Sequence, residues 1–153
     1  MNETAQLDGD EADAWMQLLA LMEYLPTRID QQLRQDADLG RFEYAILLML
    51  SREPDWTLPM LDLSLVTFGS LSRLSHTVSK LCERGFLTRE RRGANRYATL
   101  TNDGHRALLA AAPGHVAEVR RQVFDHLPAG RAADLADLLR PIVDNMKAAA
   151  PRS

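Results

Sequence analysis

Between Ser70 and Thr101 the hydrophobic pattern changes period, and that change constrains the possible folds more than any other feature of the chain. Leu71, Leu74, Val78 and Leu81 recur every three or four residues, one apolar stripe on a helix running from Ser70 to about Arg84. Gly85 follows, the residue type that best tolerates a left-handed helix stop. Phe86 to Arg92 and Arg96 to Thr101 then read as two strands joined across Gly93-Ala94-Asn95. Just upstream, Thr67-Phe68-Gly69 makes a tight turn, and Thr57 is a candidate N-cap for a short helix over Leu58 to Val66.

Helical spacing governs the rest. From Glu11 to Gln35 the apolar residues Trp15, Leu18, Leu19, Met22, Leu25, Ile29 and Leu33 form one stripe. Pro26 interrupts it, so a kink or break is expected near Leu25. Gly40 precedes a helix over roughly Arg41 to Arg52 that is apolar all round, the pattern of an element buried on several sides. Glu53-Pro54-Asp55 reads as a turn. Thr101 can cap a long helix from Asn102, with Asp103 near its positive end. A kink is expected at Pro113-Gly114, with the helix continuing to about His126. Leu127-Pro128 is expected to open a last helix striped by Leu135, Leu138, Leu139, Ile142, Val143 and Met146. The fold class is therefore mainly α with a small β-hairpin.

The 153 residues suit a single domain, and no repeat or low-complexity segment divides them. Met1 to Asp13 is acidic and polar, unlike a signal peptide, and the longest apolar run, Tyr44 to Leu50, is far too short for a membrane span. Cys82 is the single cysteine, which removes any internal disulfide framework. A cytoplasmic, non-membrane protein is expected. The net charge of −3 conceals a strong asymmetry. Residues 1–40 carry nine acids and two bases, whereas residues 70–106 carry eight bases against three acids. A basic segment between acidic ones makes a directional electrostatic footprint.

A short helix, a tight turn, a helix with one apolar face and a basic hairpin together make a winged helix-turn-helix. A recognition helix must bury one face and offer short polar or basic side chains on the other to enter a major groove about 12 Å wide. The outward positions here are Ser70, Ser72, Arg73, Ser75, His76, Ser79 and Lys80. The hairpin carries Arg89, Arg91, Arg92, Asn95 and Arg96, where a wing would lie over the DNA backbone or minor groove. Double-stranded DNA is the expected partner.

The stretches "SLSRLSHTVSKLCERGFLTR" (70–89), "YATLTNDGHRALL" (97–109) and "APGHVAEVRRQVFDHL" (112–127) resemble the MarR family of bacterial transcriptional regulators. They are similar to its recognition helix and wing, its return strand and next helix, and the kinked helix of one subgroup. The resemblance implies a winged helix-turn-helix plus a helical dimerisation region. Residues of about 11–36 and 102–149 would form that region, and about 41–101 the DNA-binding lobe. It further implies a homodimer, probing a pseudo-palindromic operator as a ligand-responsive repressor. A small aromatic or anionic effector would sit in a cleft walled by Trp15, Met22, Tyr24, Arg28, Tyr44 and His115. Two departures stand out: the turn at Gly93-Ala94-Asn95 makes a shorter wing than is usual in that family, and Pro26 is unusual in its first helix.

Other residues invite sharper readings that the pattern does not support. Cys82 lies beside the buried face of its helix, where a cysteine acts as a small hydrophobe, although Arg84 and Lys80 could lower its pKa. His105, His115 and His126 lack the spacing of a shared metal site, and no cofactor motif is present. Asp134 and Asp137 read as solubilising charge, so no enzyme is expected. The alternative function is a winged-helix dimer that serves as a protein-interaction module without specific DNA binding.

Overall fold

A computed structural model describes residues 7–149; the first six residues of the acidic start and the last four of the chain lie outside the described residues. Helix α1 spans Gly9–Ala37, α2 Arg41–Ser51, α3 Met60–Val66, α4 Leu71–Glu83, α5 Asn102–Gln122 and α6 Ala132–Ala149. Strand β1 is Thr57–Pro59, β2 Leu87–Arg92 and β3 Asn95–Leu100, and a 3-10 turn covers Phe124–His126. The chain forms two compact units, one up to Val116 and the other from Ala117.

In the first unit, a single core gathers Ile29 and Leu33 of α1, Ile46, Leu47 and Leu50 of α2, and Leu63 of α3. Leu74, Val78 and Leu81 of α4 join them, with Leu87, Ala98 and Leu100 of the sheet and Leu108 of α5. No residue from Arg41 to Leu50 is exposed, as an apolar-all-round helix requires. Each fully buried leucine contributes roughly 1.5–3 kcal/mol.

Local chemistry sets the helix ends. At the start of α1, Asp8 and Glu11 form a capping box: the Glu11 amide donates to Asp8 Oδ1 at 2.8 Å, and the Asp8 amide to Glu11 Oε2 at 3.2 Å. The α1–α2 junction is held by Asp30, which accepts from the Arg41 amide at 2.8 Å and from Arg34 Nε at 2.6 Å. Partial burial pushes this carboxyl up, but the Arg41 amide and the Arg34 guanidinium outweigh it and hold the pKa below its usual value. Helix α4 ends in a Schellman motif: Phe86 N–H donates to Leu81 O at 2.9 Å and Gly85 N–H to Cys82 O at 3.0 Å, with Gly85 left-handed at φ 75°. Thr101 caps α5 by accepting from the Gly104 amide at 3.1 Å, and its hydroxyl donates to Gly85 O at 2.7 Å.

Five expectations need correction. Helix α1 does not break at Pro26; it runs through it, because proline removes a single backbone donor and the remaining ladder on both sides persists. Thr57 caps no helix. It lies in β1, where Thr57 Oγ1 and Thr99 Oγ1 are 2.8 Å apart, and α3 begins only after Pro59. The hairpin is thus part of a three-stranded antiparallel sheet in the order β1-β3-β2. Asn95 belongs to β3, paired with Arg92, and the turn is the two residues Gly93-Ala94. Only the first of these has positive φ, at 60°, the pattern of a type II′ turn. In the second unit Pro128 opens a turn rather than a helix: Arg131 N–H donates to Pro128 O at 3.1 Å, and left-handed Gly130 (φ 79°) delays α6 to Ala132. Helix α5 continues through Pro113 as expected, but it stops at Gln122, before the 3-10 turn that carries His126.

Candidate nucleic-acid interface

The turn between α3 and α4 carries two unusual demands in adjacent residues. Helix α3 ends in its own Schellman motif, with Gly69 N–H donating to Ser64 O at 3.1 Å and Phe68 N–H to Leu65 O at 3.4 Å. The left-handed position is held by Phe68 (φ 55°), although glycine would occupy it without strain. The glycine stands next door because of space: a Cβ on Gly69 would lie 2.4 Å from Cζ of Phe42. The turn is thereby pressed onto the Phe42 ring at the start of α2.

From this turn α4 presents its predicted face. Ser70 is the N-cap, its hydroxyl accepting from the Arg73 amide at 3.2 Å. Leu74, Val78 and Leu81 are fully buried, while Ser70, Ser72, Arg73, His76 and Lys80 are exposed and Ser75 and Ser79 half-buried. The Arg73 guanidinium carbon lies 4.1 Å from the centroid of the Phe42 ring. The Arg73 carbonyl accepts from the Thr77 hydroxyl at 2.9 Å.

The hairpin register sorts the wing residues into two faces. Successive strand side chains alternate, so Leu87, Arg89 and Arg91 share a face with their cross-strand partners Leu100, Ala98 and Arg96. That face is buried at Leu87, Ala98 and Leu100 and turns basic towards the tip. It meets the recognition helix where Arg89 Nη1 donates to Ser79 Oγ at 3.3 Å. Arg91 stands directly opposite Arg96, a like-charged pair that is unfavourable unless an anion neutralises it. On the other face Arg92 pairs with Glu90 and lies 4.7 Å from the Tyr97 ring centroid, beside its strand partner Asn95. Arg89, Arg91 and Arg96 therefore form one cationic surface continuous with α4, while Arg92 and Asn95 point away from it.

No family model and no curated protein matches the sequence. Solved structures do. Sco3205, a MarR family transcriptional regulator from Streptomyces coelicolor solved in complex with DNA, is 30% identical, with the match covering 95% of this chain and 92% of that one at a TM-score of 0.87. AbsC, a MarR family transcriptional regulator from the same organism, is also 30% identical and covers 95% of this chain and 99% of its own, again at 0.87. The chain belongs to the MarR family. PcaV from the same organism, solved with its natural ligand, shares the MarR fold at 22% identity and a TM-score of 0.69, covering 92% of this chain and 97% of its own. These MarR structures are of transcriptional regulators, not enzymes.

The six residues named for a MarR effector cleft fall into separate groups. Tyr44, buried, packs its ring against His115 with centroids 4.3 Å apart. Trp15 and Met22 lie seven residues apart on one face of α1, and Tyr24 and Arg28, four apart, on nearly the opposite face. All four are exposed, Tyr24 at 68%. What surrounds His115 was not legible in the sequence: its Nδ1 and the Oε1 of Gln32 are buried without a hydrogen-bond partner among the described residues. Gln32 crosses Gly114 so closely that a Cβ there would lie 3.1 Å from its amide nitrogen. Burial pushes the His115 pKa below its ordinary value.

The remaining titratable residues take structural positions. His105 packs on Trp56 with ring centroids 4.4 Å apart, and His126 Nε2 is 3.0 Å from Arg121 O. Among the described residues no group of three or more His, Cys, Asp and Glu could hold a metal ion, and no helix is long and apolar enough to cross a membrane. Burial pushes the Cys82 thiol up. Arg89, not Arg84 or Lys80, is the cation that partly offsets this. Arg84 is turned instead towards Asp38 and Glu43.

Proposed function

We propose that the protein binds duplex DNA as a homodimer and represses transcription by occupying a pseudo-palindromic operator, from which a small aromatic or anionic effector releases it. The observation that carries this reading is the continuity between the polar face of α4 and the basic face of the wing, tied together through Arg89 and Ser79. With α4 in the major groove, Arg73, Ser75 and His76 reach base edges, and Ser70, Ser72, Ser79 and Lys80 flank them. Arg89, Arg91 and Arg96 meet phosphates, which supplies the anion that the Arg91–Arg96 pair lacks among the described residues. Arg92 and Asn95, on the far face, contribute at most through the wing tip.

The dimer reading divides the chain into a helical dimerisation region, about 11–36 and 102–149, and a DNA-binding lobe, about 41–101. Its support is apolar surface exposed on single elements: Trp15, Met16, Leu19 and Met22 on α1, and Leu138, Ile142, Val143 and Met146 on α6. Such stripes mark association surfaces. A two-fold dimer sets two recognition helices about one DNA turn apart, hence the pseudo-palindrome. The effector reading is supported by two buried polar atoms that a ligand could satisfy: Nδ1 of His115, whose ring packs on Tyr44, and Oε1 of Gln32, whose amide lies against Gly114.

Selection of bound sequences from random duplex DNA, followed by affinity at two salt concentrations, tests the proposal. Enrichment of half-sites one turn apart is expected. With Lys80, Arg89, Arg91 and Arg96 from both protomers on phosphates, log affinity should fall against log salt with a slope of about −7. Arg73→Ala should weaken operator binding far more than nonspecific binding. A folded dimer that enriches no sequence and binds DNA weakly at low salt would sink the proposal in favour of a protein-interaction module.

A further inference from the structure

We propose that Phe42, on a helix outside the helix-turn-helix itself, is the positioning residue of the recognition helix: its buried ring holds the Arg73 guanidinium through a cation–π contact that engages no protein acceptor, leaving its donors to read a guanine. The inference rests on the reading above that Arg73 contacts a base.

Three constraints converge on this side chain. The Phe42 ring is 6% exposed and is backed by the Gly69 backbone, which approaches too closely to admit a Cβ, so the ring has little freedom to move. The Arg73 backbone is fixed at both ends, its amide to the Ser70 hydroxyl and its carbonyl to the Thr77 hydroxyl. The guanidinium then lies 4.1 Å from the ring centroid, within the range of a cation–π contact.

The neighbouring arginines use their groups differently. Arg91 donates through Nε to Gly93 O, Arg92 pairs with Glu90, and Arg89 donates to Ser79. Each spends part of its hydrogen-bonding edge within the protein. Arg73 makes no ion pair and donates no side-chain hydrogen bond among the described residues. With no protein acceptor engaged, the planar fork remains available, and that fork matches O6 and N7 of guanine in the major groove. Phe42 thus removes side-chain freedom before DNA arrives, and the gain appears only where a base accepts both hydrogen bonds. Phosphate contacts, which need only charge, gain nothing.

The test uses the full chain and the operator recovered by selection. Dissociation constants are measured for that operator, for the operator with each guanine replaced in turn, and for a nonspecific duplex. The proteins are wild type, Phe42→Leu, Arg73→Ala and the double variant. Phe42→Leu is expected to lose about two- to fivefold in operator affinity. Its nonspecific affinity and salt slope should stay unchanged, and its discrimination should fall at the same guanine that Arg73→Ala ceases to read. The double variant should bind no more weakly than Arg73→Ala. An unchanged operator-to-nonspecific ratio in Phe42→Leu overturns the inference while leaving the function proposal standing. The same holds if Phe42→Leu costs its full factor in the Arg73→Ala background. If Arg73→Ala itself keeps that ratio, the base-reading role fails and the platform falls with it. A measurement on the unaltered protein guards against a variant that does not fold. The Arg73 Nε–H proton should be shifted upfield by the ring current relative to that of Arg96, and coincident shifts overturn the inference.

Discussion

Gly69→Ala reverses a familiar expectation. Gly69 is not in the left-handed region, so by backbone entropy alone alanine should stabilise the protein by about 0.4–1 kcal/mol. The added Cβ, however, would lie 2.4 Å from Phe42 Cζ and 2.7 Å from Cε2, and the ring belongs to the core. Overpacking of this kind costs about 1–3 kcal/mol. The net effect should be a loss of about 1–2 kcal/mol, a fall in Tm of roughly 2–8 °C for a chain of this size. Thermal melting at matched protein concentration measures it. The decisive arm is the Phe42→Leu background, where the facing ring is gone. There Gly69→Ala should become neutral or stabilising, giving a coupling of at least about 1 kcal/mol between the two sites. Equal losses in both backgrounds would show that the ring is not what excludes a side chain at Gly69.

Three further outcomes follow from the same geometry. Phe68→Gly should raise Tm by about 2–3 °C, because a bulky residue in the left-handed region costs roughly 1–2 kcal/mol and glycine returns only part of that as chain entropy; a lower Tm would mean that the phenyl contributes more than its strain. His115, its pKa depressed by burial, should make stability pH-dependent. Above 6.5 its contribution is complete; as the pH falls through 6.5 towards the folded pKa, the unfolded imidazole takes up a proton that the folded one resists, and stability is lost. His115→Phe should flatten that part of a Tm-against-pH curve, and an unchanged slope would refute the assignment. Cys82, with its thiol pushed up by burial, should react with iodoacetamide at pH 7.5 severalfold more slowly than a free cysteine; labelling at the free rate would show a thiolate that the structure does not support.

The parts of the fold legible in the sequence are those whose cause lies within a few residues. Gly85 ends α4 and Thr101 begins α5 through bonds to their own neighbourhoods, and the stripe from Leu71 to Leu81 is buried as its spacing required. The errors arise where the cause is distant or where two local rules compete. Thr57 has good capping chemistry, but its partner is Thr99, forty-two residues on, and a three-residue strand is too short to show a period. Asn95 has the composition of a turn, yet Gly93 alone supplies the positive φ, leaving Asn95 free to pair with Arg92. Pro128 could have opened a helix had Gly130 not adopted left-handed backbone two residues later. For the candidate interface, sequence identified short polar and basic side chains on α4 and the hairpin, and the structure leaves them exposed or half-buried. Sequence could not sort Arg89, Arg91 and Arg96 from Arg92 and Asn95 without the register, or foresee the Phe42 ring beneath Arg73.

The sheet order bears on the solubility of a protein that carries an open β-edge. With β3 in the centre, the two outer strands each leave a row of backbone donors and acceptors without a strand partner among the described residues. One of them, β1, is three residues long and ends in Pro59, which has no amide to offer. The other, β2, is six residues long and would be a template for sheet stacking if it were apolar, but it reads Leu-Thr-Arg-Glu-Arg-Arg. A second copy approaching that edge brings like charges together, so the residues proposed to engage DNA also keep the strand from pairing with its own kind. Neutralising them with β-branched residues would remove both properties at once, and a loss of DNA binding seen in such variants would have to be separated from precipitation.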